Sequence, residues 1–437
     1  MQNQLRILRD VSALILIAAT WRLWFAASDF PAVPFLSFLT SVPRTIGQVL
    51  SGVLVAVLLV DAGLAIGRLI RQTTSQIYFR FEQGCDLVFA LSAVSLILLN
   101  QHCLQPWVYH FLLLTPLLWK HDLCLQRNVE AAEDDETPTP GRFIDGNTTR
   151  AIVYLTASIY VWSAWSKLDA SFLQSHGPKF VAAICDAAGI STHFWTDRTW
   201  QIAAAMLPVG ELIVGIALLF VRTRKPALVA SMLMHLLLIV AVGPWGLSHR
   251  AGVLLWNGFF IAQNVILLLS GSQSNGTARQ ITSWKTRRVA LLVSVVAILF
   301  PAFRSAGYCD TWPAWAVYAS SPARVLVQVR DSSIDQLSNS LQSYVEPRQI
   351  NDGWSWLRID LWSLDVTGTP IYPEDRFQLG VARAVLQAAA FRDNVRVIHE
   401  EEADRWTGTR ERTEAIGNTE VAEMGLRFSL NSMPCSR

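Results

Sequence analysis

The stretch VYLTASIYVWSAWSKLDASF, residues 153–172, combines a long apolar segment with a single lysine at its end. A helix needs about 20 mostly apolar residues to cross the ~30 Å hydrocarbon core of a bilayer, so this stretch predicts a membrane helix. Its lysine, Lys167, has two interpretations. It either anchors the helix end at the membrane surface, where the helix dipole favours a cation, or it is desolvated. A desolvated amine loses its proton more readily and can act as a base.

The composition of the whole chain also indicates a membrane protein. Of the 437 residues, 52% are hydrophobic and only 16% are charged, against about 25% charged in ordinary soluble proteins. Seventeen tryptophans are typical of a protein with indole rings at membrane–water boundaries. The net charge of +2 gives no basic surface for a nucleic acid. We therefore expect a polytopic membrane protein whose partner is the lipid bilayer.

Nine apolar runs are candidates for membrane spans. The first follows Arg6 and Arg9, as in a signal peptide. Arg22 interrupts it, however, and no small-x-small cleavage site follows, so we expect a retained span. The nine runs are 11–27, 46–67, 85–103, 105–119, 151–168, 200–221, 226–243, 251–270 and 288–304. The fold class is thus a mainly α membrane helix bundle.

The distribution of lysine and arginine predicts the orientation. With the N-terminus inside, the inner segments up to residue 288 hold sixteen of these residues and the outer loops hold five. Positive charge is enriched on the cytoplasmic side of membrane proteins. We therefore expect a cytoplasmic N-terminus and an extracytoplasmic C-terminal region, which would suit a bacterial inner membrane.

The chain becomes more polar after residue 310, which predicts a bundle over 1–304 and a small α+β domain over 310–437. We expect its strands at 323–329, 354–362 and 394–400 and its helices at 333–345 and 375–391.

Three shorter segments give further expectations. The acidic stretch 130–141 has the composition of a linker, and 178–190 that of an amphipathic helix in the outer interface. Cys309 and Cys435 flank the C-terminal domain, and either form a disulfide or remain two separate thiols.

Four ionisable side chains fall within the predicted spans. By a count of ~1.5 Å per residue, Arg22 and Asp61 lie in different halves of the bilayer and should not pair. Glu211 and His235 both come near the midplane on consecutive helices. They either satisfy each other within a buried polar cluster, or relay a proton or hold a polar ligand.

Two segments carry a resemblance to known membrane proteins: IYVWSAWSKLDASFLQ at 159–174 and PVGELIVGIALLFVRTRKPALVASMLMHLLLI at 208–239. Over about 150–270 the chain resembles the horizontally transferred transmembrane domain family, which includes the vitamin K-dependent gamma-carboxylase, and is similar to DoxX-like proteins. Lys167 matches the second lysine of the family motif, where Ser166 replaces the first. The resemblance implies that Lys167 is a base and that His235 and Glu211 match a family histidine and acidic residue.

Two functions follow as expectations. The resemblance implies a carboxylase-like or oxidoreductase-like enzyme that acts at the outer face on a lipophilic, quinone-type substrate, with a reduced quinone as the expected co-reactant. Its catalytic residues would be Lys167, His235 and Glu211. The alternative is a non-catalytic scaffold that presents the C-terminal domain to membrane or periplasmic proteins. No motif predicts a metal site.

Overall fold

The computed structural model of the protein describes residues 1–25, 30–71, 76–119, 146–271, 284–347, 352–388 and 393–435. Helices dominate the part before residue 307. They are α1 (Gln2–Ala19), α2 (Trp21–Phe25), α3 (Arg44–Arg71), α4 (Gln76–Leu99), α5 (Pro106–Leu118), α6 (Gly146–Lys167), α7 (Ala170–Gln174), α8 (His176–Ala187), α9 (Asp197–Leu219), α10 (Arg224–Val242), α11 (Ala251–Gly271) and α12 (Trp284–Leu299).

Within the described residues, six helices are long and apolar enough to cross a membrane. They span Arg44–Arg71, Ile77–Leu99, Asp197–Leu219, Arg224–Val242, Ala251–Ser270 and Trp284–Ala306. The chain therefore has the helices of a multi-pass membrane protein, but the prediction of nine spans is not confirmed.

The remaining predicted spans correspond to α1, α5 and α6, which are shorter or more polar. The 13 residues of α5 reach only about 20 Å at 1.5 Å per residue. Helix α1 carries Arg6, Arg9 and Asp10, all of them buried. Much of the surface of these three helices is buried against other helices. A helix enclosed by protein does not need the lipid-facing hydrophobic surface that a span count detects.

The C-terminal region contains one antiparallel sheet of five strands in the order β2–β3–β1–β4–β5. Its strands are β1 (Arg324–Arg330), β2 (Val345–Glu346), β3 (Trp354–Leu357), β4 (Val395–Glu400) and β5 (Arg412–Ile416). Its helices are α13 (Asn339–Gln342), α14 (Ile359–Thr367), α15 (Asp375–Ala388) and α16 (Gly417–Gly425). The predicted strands at 323–329 and 394–400 are thus confirmed, and α15 matches the described part of the helix predicted at 375–391.

Two predicted elements of this region were wrong. The strand expected at 354–362 ends at Leu357, and helix α14 follows because the buried residues Ile359, Trp362, Ser363 and Thr367 repeat with the helical period. The helix expected at 333–345 is a 3₁₀ turn followed by the single turn α13. This segment is rich in Ser, Asn and Gln, and Gln342 donates to the Leu337 carbonyl instead of supporting a longer helix.

The C-terminal region packs directly on one end of the helix bundle. Gln101, after α4, donates to the Asn431 carbonyl at 2.9 Å and accepts from Arg376 Nε at 3.0 Å. Arg250, before α11, pairs with Asp365. The main cluster of buried apolar side chains continues from the helices into the sheet. The helix ends in contact are those predicted to lie outside, but the orientation and the division at 304 and 310 stay predictions.

The three shorter segments have different outcomes. Helix α8 confirms a helix within 178–190, and Gly189 follows it with φ of 67°. Cys309 and Cys435 are both free thiols, so the disulfide is not formed. The predicted linker 130–141 lies outside the described residues.

Candidate functional site

Lys167 and Glu211 form an ion pair at the end of α6. Lys167 Nζ lies 2.8 Å from Glu211 Oε2 and 2.6 Å from Ser163 Oγ, one turn earlier on the same helix. The two charged side chains are 14% and 12% exposed. An ammonium has three donor hydrogens, and these two acceptors take two of them. The arrangement combines a proton donor and a carboxylate acceptor at a partly accessible position.

The pairing depends on a close approach of α6 and α9 at Gly215. A Cβ at this position would lie 3.0 Å from Val161 Cγ2 and 3.1 Å from Tyr160 Cβ. Glu211 is one turn from Gly215 on α9, and this turn brings its carboxylate beside Lys167. The Glu-x-x-x-Gly spacing therefore has a packing reason: the glycine admits the neighbouring helix and the glutamate meets its lysine.

Asp169 does not serve as the counter-ion of Lys167. It is buried and caps α7, where its Oδ1 accepts from Phe172 N at 2.7 Å. The acidic partner comes instead from a residue 44 positions along the chain.

A loop of the C-terminal region covers the end of α6 next to this pair. Arg405 stacks on the ring of Trp165 with Cζ 3.9 Å from the ring centroid, and it donates to the Trp165 carbonyl at 3.0 Å. The backbone of Ala170 donates to the Arg405 carbonyl at 2.9 Å. The helix end that carries Lys167 is therefore held by the C-terminal region.

His235 belongs to a separate, fully buried polar network between α6, α10 and α11. Its Nε2 lies 2.8 Å from Tyr160 Oη and its Nδ1 lies 2.7 Å from Asn257 Oδ1. Tyr160 Oη also lies 2.7 Å from Ser231 Oγ, and Asn264 donates to both of these oxygens. The His235 ring stacks on Phe260 at 4.8 Å between centroids.

The expected pairing of Glu211 with His235 is wrong. Both ring nitrogens of His235 have other partners, and Glu211 pairs with Lys167. The depth count failed because α9 is displaced along α6: Gly215 packs against Tyr160 and Val161, so Glu211, one turn earlier on α9, lies beside the end of α6. The structure thus brings two of the three predicted site residues together and places the third in its own network.

The two environments share one stripe of α6. Thr156, Tyr160, Ser163 and Lys167 follow one another at spacings of four, three and four residues, which is the spacing of a single helix face. Thr156 accepts from Gln263 at 3.0 Å, so each of the four has a polar partner. The sequence contained this signal, although only Lys167 of the four was predicted as a site residue.

A second group of charges lies at the opposite end of the bundle. Its members are buried side chains of α1, α3 and α4: Arg6, Arg9, Asp10, Asp61, Glu82 and Asp86, with Arg68 at its edge. We call it the charge cluster. Asp61 pairs here with Arg6 and Arg9, whereas Arg22 donates to the Asp365 carbonyl, so the expectation that Arg22 and Asp61 do not pair is confirmed.

Sequence reasoning missed the charge cluster because it counted Arg6 and Arg9 as surface charges of the inner side. The signal that could have revealed it is the coincidence of three ionisable residues on α1 with Asp61, Glu82 and Asp86 near the same predicted membrane face. Four carboxylates so close to the spans need partners.

Two cavities lie away from the Lys167–Glu211 pair. A groove of about 790 Å³ runs between Leu36, Arg383 and Met433, and a cavity of about 100 Å³ lies beside Trp24 and Ser51. Neither is lined by Lys167, Glu211 or His235. Among the described residues, no group of three His, Cys, Asp or Glu side chains could hold a metal ion.

Comparison with known proteins finds no matching family model, no matching curated protein and no matching solved structure. The chemistry open to the Lys167–Glu211 pair follows from its own geometry. An ammonium beside a carboxylate can pass a proton to an oxygen of a bound molecule and regain one through the carboxylate.

Proposed function

We propose that the protein is a multi-pass membrane enzyme in which Lys167 and Glu211 transfer protons to and from a lipophilic, quinone-type substrate. The observation that supports this most directly is the ion pair at 2.8 Å on a partly accessible helix end. Charged side chains within membrane helices are expensive and mark substrate or proton pathways by default. The resemblance of 150–270 to the carboxylase family, which also uses a lysine at this point, supports the same proposal.

In this proposal Lys167 has two states. As an ammonium it donates one proton to a substrate oxygen, and the Ser163 hydroxyl remains to hold the amine in place. As an amine it accepts a proton from a reduced, hydroxyl-bearing substrate. Glu211 orients Nζ and carries the proton between Lys167 and water at the outer end. His235 takes no direct part, since its partners are Tyr160 and Asn257.

The test is turnover by the purified protein in lipid nanodiscs with a short-chain quinol and dioxygen, which takes up the two electrons that the quinol loses, followed through quinol consumption. We expect Lys167→Met and Lys167→Arg each to lower turnover at least about 10²-fold, the usual share of a general acid–base group. Arginine keeps the charge but does not give up a proton at ordinary pH. If Lys167→Arg retains full turnover, the lysine is an anchor and the proposal fails.

A membrane scaffold is the second candidate, because the C-terminal region packs so closely on the bundle. Arg376 pairs with Asp310 while its Nε donates to Gln101, and Asn431 donates to the Pro34 carbonyl. A scaffold would use the helices to hold this region in one orientation. It predicts that Lys167→Met behaves like the wild type in the cell and that removal of 310–437 abolishes function.

A further inference from the structure

The charge cluster contains more acid than base. Its three arginines face four carboxylates, from Asp10, Asp61, Glu82 and Asp86. With every group ionised, the described members of the cluster would hold one negative charge in excess, in a site where the side chains of Arg9, Asp10 and Asp86 are fully buried. An uncompensated charge in such surroundings is strongly unfavourable.

The hydrogen bonds are shared unequally among the carboxylates. Asp61 accepts from Arg6 at 2.9 and 3.1 Å and from Arg9 at 2.7 Å, and each oxygen of Asp86 lies within 2.8 Å of a guanidinium nitrogen. Asp10 and Glu82 are different, because each has only one bonded oxygen: Asp10 Oδ1 lies 2.7 Å from Arg9, and Glu82 Oε2 lies 2.8 Å from Arg68. Asp10 Oδ2 and Glu82 Oε1 are buried without a hydrogen-bond partner among the described residues. Glu82 pairs with Arg68, whereas Asp10 shares Arg9 with Asp61 and Asp86, so Asp10 is the less compensated of the two.

We propose that the charge cluster is a proton-binding site that carries one proton on the Asp10 carboxyl. A proton on Oδ2 removes the surplus charge and leaves all the arginine contacts in place. A bound metal ion does not account for the excess negative charge, because the carboxylates of the cluster do not form a group that could hold one. The proposal is independent of the Lys167–Glu211 chemistry, which lies at the other end of the bundle.

The surroundings of Asp10 are polar on three sides. Helix α3 presents Asp61 and Arg68, helix α4 presents Glu82, Cys85 and Asp86, and helix α5 presents Thr115, whose hydroxyl accepts from Arg9 at 2.9 Å. Helix α11, which also packs on α1, has no ionisable residue.

The cluster reaches the solvent through its outermost ion pair. Arg68 is 10% exposed and lies 2.8 Å from Glu82 Oε2, while Arg6 donates to the Glu82 carbonyl. Glu82 Oε1, like Asp10 Oδ2, has no hydrogen-bond partner among the described residues. Arg68 is therefore the most exposed member of the charge cluster, and we expect protons to enter at the Arg68–Glu82 pair.

Infrared spectroscopy of the purified full-length protein tests this inference. At about neutral pH the wild type should show the C=O stretching band of a buried, protonated carboxyl in addition to the contribution of Glu374, whose pKa is also raised by burial and which Glu374→Gln removes. This band should vanish in Asp10→Asn and persist in Asp335→Asn, a substitution at an exposed residue of the C-terminal region. Absence of the band in the wild type would overturn the proposal, and so would a band that Glu82→Gln removes and Asp10→Asn retains.

Thermal unfolding gives a second and independent measurement. Asparagine is neutral and has nearly the shape of a protonated aspartate, so Asp10→Asn should keep the wild-type Tm. Asp61→Asn removes the acceptor of two guanidinium groups, so its Tm should fall clearly below that of Asp10→Asn. A fall in Tm for Asp10→Asn as large as that for Asp61→Asn would mean that Asp10 is charged, which contradicts the proposal.

Discussion

Gly215 lies so close to Val161 that an added Cβ would be 3.0 Å from Val161 Cγ2, and this contact holds α6 and α9 at the distance that the Lys167–Glu211 pair requires. Close helix approach at small residues is a common way to pack membrane helices. The glycine has a helical backbone and no unusual φ, so its role is to leave space. The position of a catalytic candidate thus depends on a residue without a side chain.

Gly215→Leu should separate the two helices and weaken the ion pair. We expect a loss of about 1–3 kcal/mol in the free energy of unfolding, the usual effect of overpacking, measured by thermal denaturation in mild detergent. Gly210→Leu is the matched control, because a Cβ at Gly210 on the same helix meets nothing within 4 Å. Equal stability of the two variants would show that the close approach is unimportant.

Tyr160→Phe should destabilise the buried network around His235. Removal of the hydroxyl leaves Ser231, His235 and Asn264 each without one partner. A buried polar group without a partner typically destabilises a protein by about 1–3 kcal/mol, so we expect the free energy of unfolding to fall by this order. Tyr308→Phe, at a residue that is 79% exposed, should be neutral. The thermal unfolding midpoints of the two variants, measured in the same detergent, test this expectation. Equal midpoints would contradict it.

Local sequence patterns predicted most of the helices, because hydrophobic length and period are local properties. The boundaries of α9, α10 and α11 lie within a few residues of the predicted spans. Local patterns failed where tertiary contacts determine the secondary structure. The residues of 354–362 are compatible with either a strand or a helix, and the chain changes from strand to helix at Ile359.

The candidate site was predictable in its members but not in its pairs. Lys167, Glu211 and His235 stood out because ionisable residues are rare in apolar helices. Their partners depended on how far each helix extends beyond its neighbour, which a residue count from predicted span ends cannot provide. For the same reason the partners of Arg6 and Arg9 on α3 and α4 were not expected.

Glu374 should make the junction between bundle and C-terminal region sensitive to pH. Burial and the neighbouring Asp310 raise the pKa of Glu374 to about 7, although Arg376 opposes the shift. Because the folded-state pKa lies above the ordinary value of 4.5, the stabilising contribution is fully present below about pH 4.5 and is lost as the pH rises through about 7. The loss in free energy of unfolding is up to about 3 kcal/mol.

Thermal midpoints between about pH 5 and 8 measure this effect. Glu374→Gln, which stays neutral, should lose less stability over this range than the wild type does. The exposed Glu423→Gln should follow the wild type. A Glu374→Gln profile as steep as that of the wild type would exclude Glu374 as the titrating group.

The orientation of the bundle predicts which introduced cysteines a membrane-impermeant maleimide reaches in intact cells. Leu426→Cys lies on the C-terminal region at a position that is 84% exposed, and Arg222→Cys lies on the exposed turn between α9 and α10. These two positions are at opposite ends of the bundle. The turn that carries Arg222 is rich in basic residues and is therefore predicted to be cytoplasmic. Residue 426 should be labelled in intact cells, and residue 222 only after permeabilisation. The wild type supplies the background, which should be low for Cys309 because burial raises the pKa of its thiol to about 12. The reverse pattern would place the C-terminal region in the cytoplasm and move the proposed proton transfer at Lys167 to the inner face.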